Sequence, residues 1–224
     1  MGVTFEDLTK ELENLISRAA STSQATDTST ATSTGYSAKS PTALEQVRQE
    51  MQAQGLDPDA GRIAEIMAKT KEHTLLDGRG WFIYGKPGTG KTVRAKIAAK
   101  ITGIEYVDAC EYSWEAIRTL NRELDLFKAC RLYKDLEGNV VGNPLTIDDL
   151  GTEPNEANFY GTKVNPMQFI LERRLNHWPK VKTYITSNLT REDIGRRYGE
   201  RLLSRLEGSM VFIPLDGRDW RRQR

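Results

Sequence analysis

The sequence has few of the residues that form disulfides or bind metal ions through nitrogen and sulfur. Its 224 residues include two cysteines, which are far apart and form no C-x-x-C pair, and two histidines. These counts argue against a disulfide scaffold and against a histidine-rich metal site. The net charge of +1 gives no overall basicity, so contact with nucleic acid would need a local basic patch.

Long apolar runs are also missing. The sequence contains no run of eighteen apolar residues and no signal peptide, which are the patterns typical of membrane insertion and export. We therefore expect a cytoplasmic protein with no membrane partner. The hydrophobic content of 38% is low for one compact domain and indicates that part of the chain is not packed.

The first forty residues differ in composition from the rest. Residues 1–20 predict an amphipathic helix that begins with a capping box at Thr4 and Asp7. Its apolar stripe consists of Phe5, Leu8, Leu12, Leu15 and Ile16. The stripe could dock onto the chain's own domain, mediate self-association or serve as a handle for another protein. Residues 21–42 hold six Ser, seven Thr and no Leu, Ile, Val or Phe, so residues 21–41 are expected to be a disordered linker.

Residues 42–76 predict a helical lead-in to the main domain. Thr42 and Glu45 form a second capping box, and Gly55 is placed to end the first helix. Asp59 could cap the next helix. The apolar positions of the two helices are Leu44, Val47, Met51, Ile63, Ile66 and Met67.

A phosphate-binding motif follows at the start of the main domain, which we expect to span residues 77–224. It fits G-x-x-x-x-G-K-[ST] and consists of Gly85, Lys86, Pro87, Gly88, Thr89, Gly90, Lys91 and Thr92. A predicted strand at residues 81–84 precedes it, and a predicted helix at residues 93–101 follows it, the order that aims a helix N-terminus at an anion. Lys91 would contact the β- and γ-phosphates of ATP, and the Thr92 hydroxyl would be a Mg²⁺ ligand. The alternative is a glycine-rich turn that binds nothing.

Further strands alternate with helices. They are predicted at residues 104–108, 144–149, 181–186 and 210–214, the last at a sheet edge because Pro214 lacks a donor. One long helix is expected through Trp114 and Phe127, and another from Pro166 to Trp178 with Asn165 as its cap. This alternation predicts an α/β fold with a five-stranded parallel sheet, whose ligand lies at the carboxyl ends of the strands.

Two later strands end in polar residues suited to ATP hydrolysis. Asp148 would hold Mg²⁺ mostly through its waters, and Asp149 could polarise the attacking water. Many ATPases use Glu at the second position; the shorter Asp predicts slow hydrolysis. Asn188 could orient the water between Asp149 and the γ-phosphate. The alternatives are a solvated turn for the two acids and a helix cap for Asn188, although Thr190 is better placed as a cap.

Arg201 and Arg205 are four residues apart and share one predicted helix face. In a monomer they would be solvated or paired with Glu. In a ring or filament one of them, preferably Arg205, could reach the γ-phosphate bound by a neighbouring subunit. These arginines would then define the homo-oligomer interface.

Taken together, these motifs resemble the DnaC/IstB group of AAA+ ATPases. The resemblance covers roughly residues 80–221 and rests on Lys86-Pro87, Ile147-Asp148-Asp149-Leu150-Gly151, Thr186-Ser187-Asn188-Leu189, Arg201 with Arg205, and Gly217-Arg218-Asp219-Trp220-Arg221. It implies an AAA+ module without a C-terminal helical lid. It also implies ATP-dependent assembly on single-stranded DNA and delivery of a replicative helicase or, in the IstB type, a transposase.

Other functions remain open at this point. Residues 191–224 hold nine Arg against six acidic residues, a local excess of +3 that suits either a phosphate-contacting edge or a solvated face. A nucleotide-gated adaptor with little turnover is compatible with the short Asp149. A small-molecule kinase would need an acceptor pocket and an arginine-bearing lid, and the sequence shows neither.

Overall fold

The computed structural model describes residues 41–71, 78–123, 125–159, 161–217 and 219. The predicted helix at residues 1–20 and the linker up to residue 40 lie outside this part. Among the described helices, none has both the length and the apolar character needed to cross a membrane.

The elements alternate along the chain. The strands are β1 (Gly80–Tyr84), β2 (Glu105–Asp108), β3 (Leu132–Lys134), β4 (Val140–Gly142), β5 (Leu145–Leu150), β6 (Ala157–Phe159), β7 (Thr162–Val164), β8 (Thr183–Ser187) and β9 (Met210–Pro214). The helices are α1 (Ala43–Ala53), α2 (Ile63–Lys71), α3 (Lys91–Thr102), α4 (Ala109–Glu123), α5 (Leu126–Ala129), α6 (Pro166–Leu175), α7 (Arg191–Tyr198) and α8 (Glu200–Ser209).

Five of these strands form one parallel sheet in the order β2-β5-β8-β1-β9. The predicted α/β class and the five parallel strands are thus confirmed. β9 pairs with β1, with Trp81 opposite Val211, and it lies at the edge that Pro214 predicted. The strand that carries the phosphate loop is therefore flanked by β8 and β9, one strand in from the edge of the sheet.

Helices cover both faces of the sheet because alternate side chains of a strand point to opposite sides. Phe82 packs on one face with Ile147 and Ile185, in the core that includes apolar residues of α4, α6, α7 and α8. Trp81 and Ile83 pack on the other face with apolar residues of α1, α2 and α3. Two hydrophobic layers therefore fix β1 from both sides.

The lead-in helix α1 begins as the sequence predicted. The Thr42 hydroxyl accepts a hydrogen bond from the Glu45 N–H at 3.2 Å, and the Glu45 carboxylate accepts one from the Thr42 N–H at 2.7 Å. The prediction that Asp59 caps the next helix was wrong. Asp59 has helical backbone angles, whereas a capping residue is extended, and its carboxylate binds Arg48 at 2.5 Å. A short 3₁₀ turn, Ala60–Arg62, precedes α2 instead.

Two predicted helices are shorter in the structure. The helix expected through Phe127 stops at Glu123, and α5 starts separately with Asp125 as its cap. Trp114 lies on the solvent face of α4, with 48% of its surface exposed. The helix expected to reach Trp178 ends at Leu175, although Asn165 caps it as predicted.

Two small hairpins extend the sheet domain. The first pairs β3 with β4 and accounts for the segment between α5 and β5. The second pairs β6 with β7, between β5 and α6, and no feature of the sequence predicted it. Both hairpins are three residues long on each side, too short for a reliable alternation of apolar and polar residues.

A buried arginine fastens the first hairpin to the sheet. Arg174 on α6 is fully buried and donates hydrogen bonds to the carbonyls of Cys130 at 3.0 Å, Asn143 at 2.8 Å and Lys182 at 3.0 Å. Its Nε donates to the Thr183 hydroxyl at 3.0 Å. One side chain thus joins both ends of the hairpin segment to the start of β8.

Candidate functional site

The predicted phosphate loop connects β1 to α3. Gly88 and Gly90 both have φ values of +84°, in the left-handed region that glycine tolerates best. Lys91 is the first residue of α3, so the helix N-terminus opens onto the loop. Backbone N–H groups in this arrangement are oriented toward an anion bound at the helix N-terminus.

The Lys91 ammonium lies over the loop. Its Nζ donates hydrogen bonds to the carbonyls of Gly85 and Lys86, at 2.8 Å each, and the residue is 4% exposed. The Thr89 hydroxyl also donates to the Lys86 carbonyl, at 3.0 Å. These contacts hold the charged group against the phosphate loop. Thr92 is half-buried in the first turn of α3.

A second cationic side chain, that of Arg94, contacts the phosphate loop. Arg94 is buried and donates to the Thr89 carbonyl and to the Asp57 carbonyl, at 2.9 Å each. Burial lowers the pKa of its guanidinium, and the nearby charge of Asp57 partly opposes that effect. The contact joins the loop to the lead-in segment. The sequence did not identify Arg94, because an arginine within an amphipathic helix usually lies on the solvent side.

Asp148 is almost fully buried at the end of β5 and is held by two hydroxyl groups. Tyr106 on β2 donates to its Oδ2 at 2.6 Å, and Thr186 on β8 donates to its Oδ1. Burial, followed by the hydrogen bond to Asp148, raises the pKa of Tyr106, so this phenol stays a donor. Neither partner is predictable from the sequence, because strand order is needed to bring β2 and β8 to the two sides of β5.

Asp149 occupies an irregularity of the same strand. Ile147 pairs with Ile185 and Leu150 with Ser187, so β5 has one residue more than β8 over this interval. Asp149 takes up the difference with a φ of +53°, an uncommon value for a residue other than glycine. Its N–H donates to the Thr186 hydroxyl at 3.0 Å.

Asn188 follows directly after β8 and is exposed. Its amide donates to Oδ1 of Asp149 at 3.4 Å, a long hydrogen bond that brings the two predicted residues together. The alternative role as a helix cap belongs to Thr190. Its hydroxyl accepts from the Asp193 N–H at 3.2 Å in a complete capping box at the start of α7.

All these residues lie at the same edge of the sheet because β1, β5 and β8 are adjacent and parallel. Tyr84 at the end of β1 pairs with Ser187 at the end of β8, and the Gly85 N–H donates to the Ser187 carbonyl at 3.3 Å. The phosphate loop, the two acids and the amide thus meet at the carboxyl ends of three neighbouring strands.

The segment after β9 crosses the loop. The Leu215 N–H donates to the Tyr84 carbonyl at 2.7 Å. A Cβ atom added to Gly85 would collide with the Leu215 carbonyl, and one added to Gly88 would collide with the Asp219 carboxylate. Close packing against the main chain therefore requires a glycine at Gly85, and the backbone conformation favours glycine at both positions.

The two predicted arginines lie on α8. The last residue of α8, Ser209, directly precedes the first residue of β9, so the helix runs toward the amino ends of the strands. Arg201 is exposed near the start of the helix, and Arg205 donates to the side-chain oxygen of Asn176, which precedes β8 at the amino end. Arg205 therefore lies toward the opposite end of the strands from its own phosphate loop.

The chain has side chains whose oxygen atoms suit an ATP site with Mg²⁺. Mg²⁺ prefers oxygen ligands and keeps several waters. The Thr92 hydroxyl and the Asp148 carboxylate are such donors, and Asp148 keeps lone pairs for water beyond its two hydrogen bonds.

Comparison with known proteins agrees with this architecture. No protein-family model matches the sequence, and no curated protein matches it significantly. A candidate primosome component from Streptococcus pyogenes serotype M3 superposes with a TM-score of 0.51 at 20% identity, covering 81% of this chain and 92% of that one. The replication initiator DnaA bound to AMPPCP and single-stranded DNA gives a TM-score of 0.52 at 20% identity, covering 75% of this chain. This chain spans about half of that DnaA chain, with 50% covered.

At 20% identity these similarities concern the fold. The two structures cover 81% and 75% of this chain, in agreement with the architecture that the motif resemblance to the DnaC/IstB group implied. The chain shares the fold of these two structures.

Proposed function

We propose that this chain is an ATP-hydrolysing AAA+ protein of DNA replication that assembles on single-stranded DNA and delivers a replicative helicase. The observation that carries the proposal is the meeting of the phosphate loop, Asp148, Asp149 and Asn188 at one edge of the sheet. Separate motifs from three strands converge there on the volume next to the loop, which is the requirement for a reaction at a bound phosphate.

ATP binding follows from the loop and from Lys91. Phosphate oxygens would replace the carbonyls of Gly85 and Lys86 as partners of the Lys91 ammonium. The N–H groups at the start of α3 would add further donors. Thr92 and Asp148 would hold Mg²⁺, which neutralises charge on the phosphates.

Hydrolysis would use Asp149 and Asn188. A water between them and the γ-phosphate would be oriented by the Asn188 amide and give up its proton to the Asp149 carboxylate. The 3.4 Å contact of the two side chains leaves both close to such a water. Asp is one methylene shorter than the Glu of many ATPases, so we expect turnover to be slow.

Completion of the site would require a second subunit. Arg205 binds Asn176 toward the amino ends of the strands, whereas the phosphate loop follows a carboxyl end. Arg205, with Arg201 one turn before it, would therefore act on the ATP of a neighbouring copy, where a positioned arginine raises turnover by about 10³- to 10⁵-fold in well-studied cases. The homo-oligomer would form through the α8 edge.

The replication role rests on the motif resemblance and on two structural neighbours. One neighbour is a candidate primosome component, and the other is DnaA bound to AMPPCP and single-stranded DNA. The excess of arginine over acidic residues in the sequence of residues 191–224 would supply a local basic region for a DNA backbone.

The test is to measure ATP hydrolysis and oligomer mass with and without single-stranded DNA. We expect both to rise with DNA, and we expect Lys91→Ala to lose ATP binding and turnover together. A chain that stays monomeric and does not hydrolyse ATP under either condition would refute the proposal. Helicase and transposase partners are then distinguished by which purified protein the ATP-bound oligomer retains on a gel-filtration column.

A nucleotide-gated adaptor is the second candidate, and the geometry of Asp149 favours it. The acid is short and its contact with Asn188 is long, at 3.4 Å. An adaptor would bind ATP and assemble with it but would show no turnover above the level of Asp149→Asn. Turnover that Asp149→Asn abolishes would exclude the adaptor.

A further inference from the structure

A buried carboxylate that none of the proposed steps uses lies next to the acid pair. Glu153 is four residues beyond Asp149, and its side chain is 0% exposed. Its Oε2 accepts the Gly151 N–H at 2.8 Å, and its Oε1 accepts the Tyr198 hydroxyl and Nη2 of Arg197, the latter at 3.4 Å. Donors from two separate parts of the chain therefore converge on one carboxyl group.

One of these parts is the turn that carries Asp149. Gly151 has a φ of +106° and Asp149 a φ of +53°, so two residues of this turn have left-handed backbones. The Thr152 hydroxyl donates to the Asp149 carbonyl at 2.9 Å, and the hydrogen bond from Gly151 to Glu153 closes the turn on its other side. The direction of the Asp149 side chain depends on this backbone.

The other part is the end of α7. Arg197 and Tyr198 are its last two residues, and Gly199 then leads directly into α8 with Arg201 and Arg205. Arg197 also donates to the main-chain carbonyl of Glu153, so this segment binds both the side chain and the backbone of the residue. Burial, followed by the charge of Glu153, raises the pKa of Tyr198, which keeps its hydroxyl a donor.

A buried carboxylate is costly unless donors compensate it, and an apolar side chain would fill the same space at no such cost. Here the compensating donors are divided between the Asp149 turn and the helix pair α7–α8. A displacement of α7 relative to the turn would therefore remove the Tyr198 and Arg197 donors from Glu153 and leave its buried charge compensated from the turn alone.

We propose that Glu153 is a positioning residue that couples the Asp149 turn to the helix pair bearing Arg201 and Arg205. Through it, the site that hydrolyses ATP in one subunit is linked to the arginines which that subunit presents to the next. The inference rests on the proposed function, because it assigns the coupling between two parts of the same ATPase machinery.

The first test uses Glu153→Gln and Tyr198→Phe, with Tyr133→Phe as the control at an exposed tyrosine of β3. Glutamine offers a single acceptor oxygen, and phenylalanine removes only the α7 donor. We expect turnover at saturating ATP to fall by about tenfold in both variants while the Kd for ATP changes by less than about twofold. The double variant should lose little more than either single one, because both remove the same interaction.

The second test examines the link to the neighbouring subunit. Arg205→Ala subunits, which can bind ATP, are mixed with Lys91→Ala subunits, which can still offer Arg205, and turnover should be restored. A donor subunit carrying Tyr198→Phe as well as Lys91→Ala should restore about tenfold less, although it binds no ATP itself. A residue with a role only in the structure of its own site would not change this rescue.

The inference is overturned if Tyr198→Phe keeps turnover and rescue within about twofold of the unmodified chain. Wild-type chain without turnover, or unmodified donor subunits that fail to rescue, would instead refute the proposed ATPase or its trans-acting arginine. Tyr198→Phe removes a single hydroxyl, so it tests the coupling even if Glu153→Gln fails to fold.

Discussion

The Tyr106 hydroxyl on β2 donates a hydrogen bond of 2.6 Å to Oδ2 of Asp148 on β5. The neighbouring strand thus fixes one oxygen of the acid, and Thr186 on β8 fixes the other. Because both donors come from strands beside β5, the carboxylate cannot rotate without losing a partner. Its direction is set before any ligand arrives.

Tyr106→Phe should weaken the use of Mg²⁺. Loss of a hydrogen bond behind a metal-holding carboxylate costs about 10-fold or more in metal affinity or activity. We expect the Mg²⁺ concentration for half-maximal ATP hydrolysis to rise by about that factor, with little change in thermal stability. Titration of Mg²⁺ at a fixed ATP concentration measures this half-maximal Mg²⁺ concentration. Tyr133→Phe, on an exposed tyrosine, is the matched control, and an unchanged Mg²⁺ requirement in Tyr106→Phe would contradict the role.

Arg205→Ala should separate ATP binding from turnover. The side chain binds Asn176 within its own subunit, at the opposite end of the strands from the phosphate loop. We therefore expect the Kd for ATP to change by less than about twofold while turnover of the oligomer falls by about 10³-fold or more. Arg118→Ala, at an exposed arginine of α4, is the control. Turnover that survives in Arg205→Ala would assign that arginine to the surface.

Arg174→Met should destabilise the domain without touching the candidate site. The substitution leaves the buried carbonyls of Cys130, Asn143 and Lys182 without their donor. Removal of a buried charge offsets part of that loss, so we expect a net cost of about 2–4 kcal/mol in the free energy of unfolding. Denaturant titration measures it.

Arg173→Met is the comparison on the same helix. Arg173 is exposed and lies over the Phe169 ring at 4.3 Å, a contact worth less than about 1 kcal/mol. Equal losses in the two variants would show that the Arg174 hydrogen bonds contribute no more than a surface contact.

The Cys130 thiol should give stability a measurable dependence on pH. Burial raises its pKa from 9.0 to about 11, so the folded chain binds this proton more tightly than the unfolded chain does. The associated stability is complete below about pH 9 and is lost as the pH rises toward about 11. The free energy of unfolding should therefore fall more steeply over that interval in wild type than in Cys130→Ala. Parallel pH profiles of the two proteins would disprove the assignment.

The fold was largely predictable because it depends on local patterns. The alternation of short apolar strands with helices predicted the parallel sheet, and the cap at Asn165 and the edge position of Pro214 are both seen. The positions at which helices begin and end were less predictable. Asp59 resembled a helix cap in sequence, but its backbone is helical and its carboxylate binds Arg48.

The supports of the candidate site depend on strand order, which local patterns do not contain. Tyr106 is 42 residues from Asp148, and Tyr198 is 45 residues from Glu153. Neither pair forms a motif in sequence. The buried charges of Arg94 and Arg174 were missed for a related reason, since an arginine in a helix normally faces solvent. The roles of Asp149, Asn188 and the two arginines of α8 stay predictions.

The left-handed backbone at Asp149 limits how the site could change during evolution. Aspartate and asparagine are among the few residues other than glycine that adopt a positive φ readily, whereas glutamate adopts it less readily. A lineage could not lengthen this acid by a single codon change without also straining the β5 bulge. The rate of hydrolysis would then be limited by the backbone conformation at Asp149. Engineering a faster enzyme would require a redesign of the β5 bulge before the acid is lengthened.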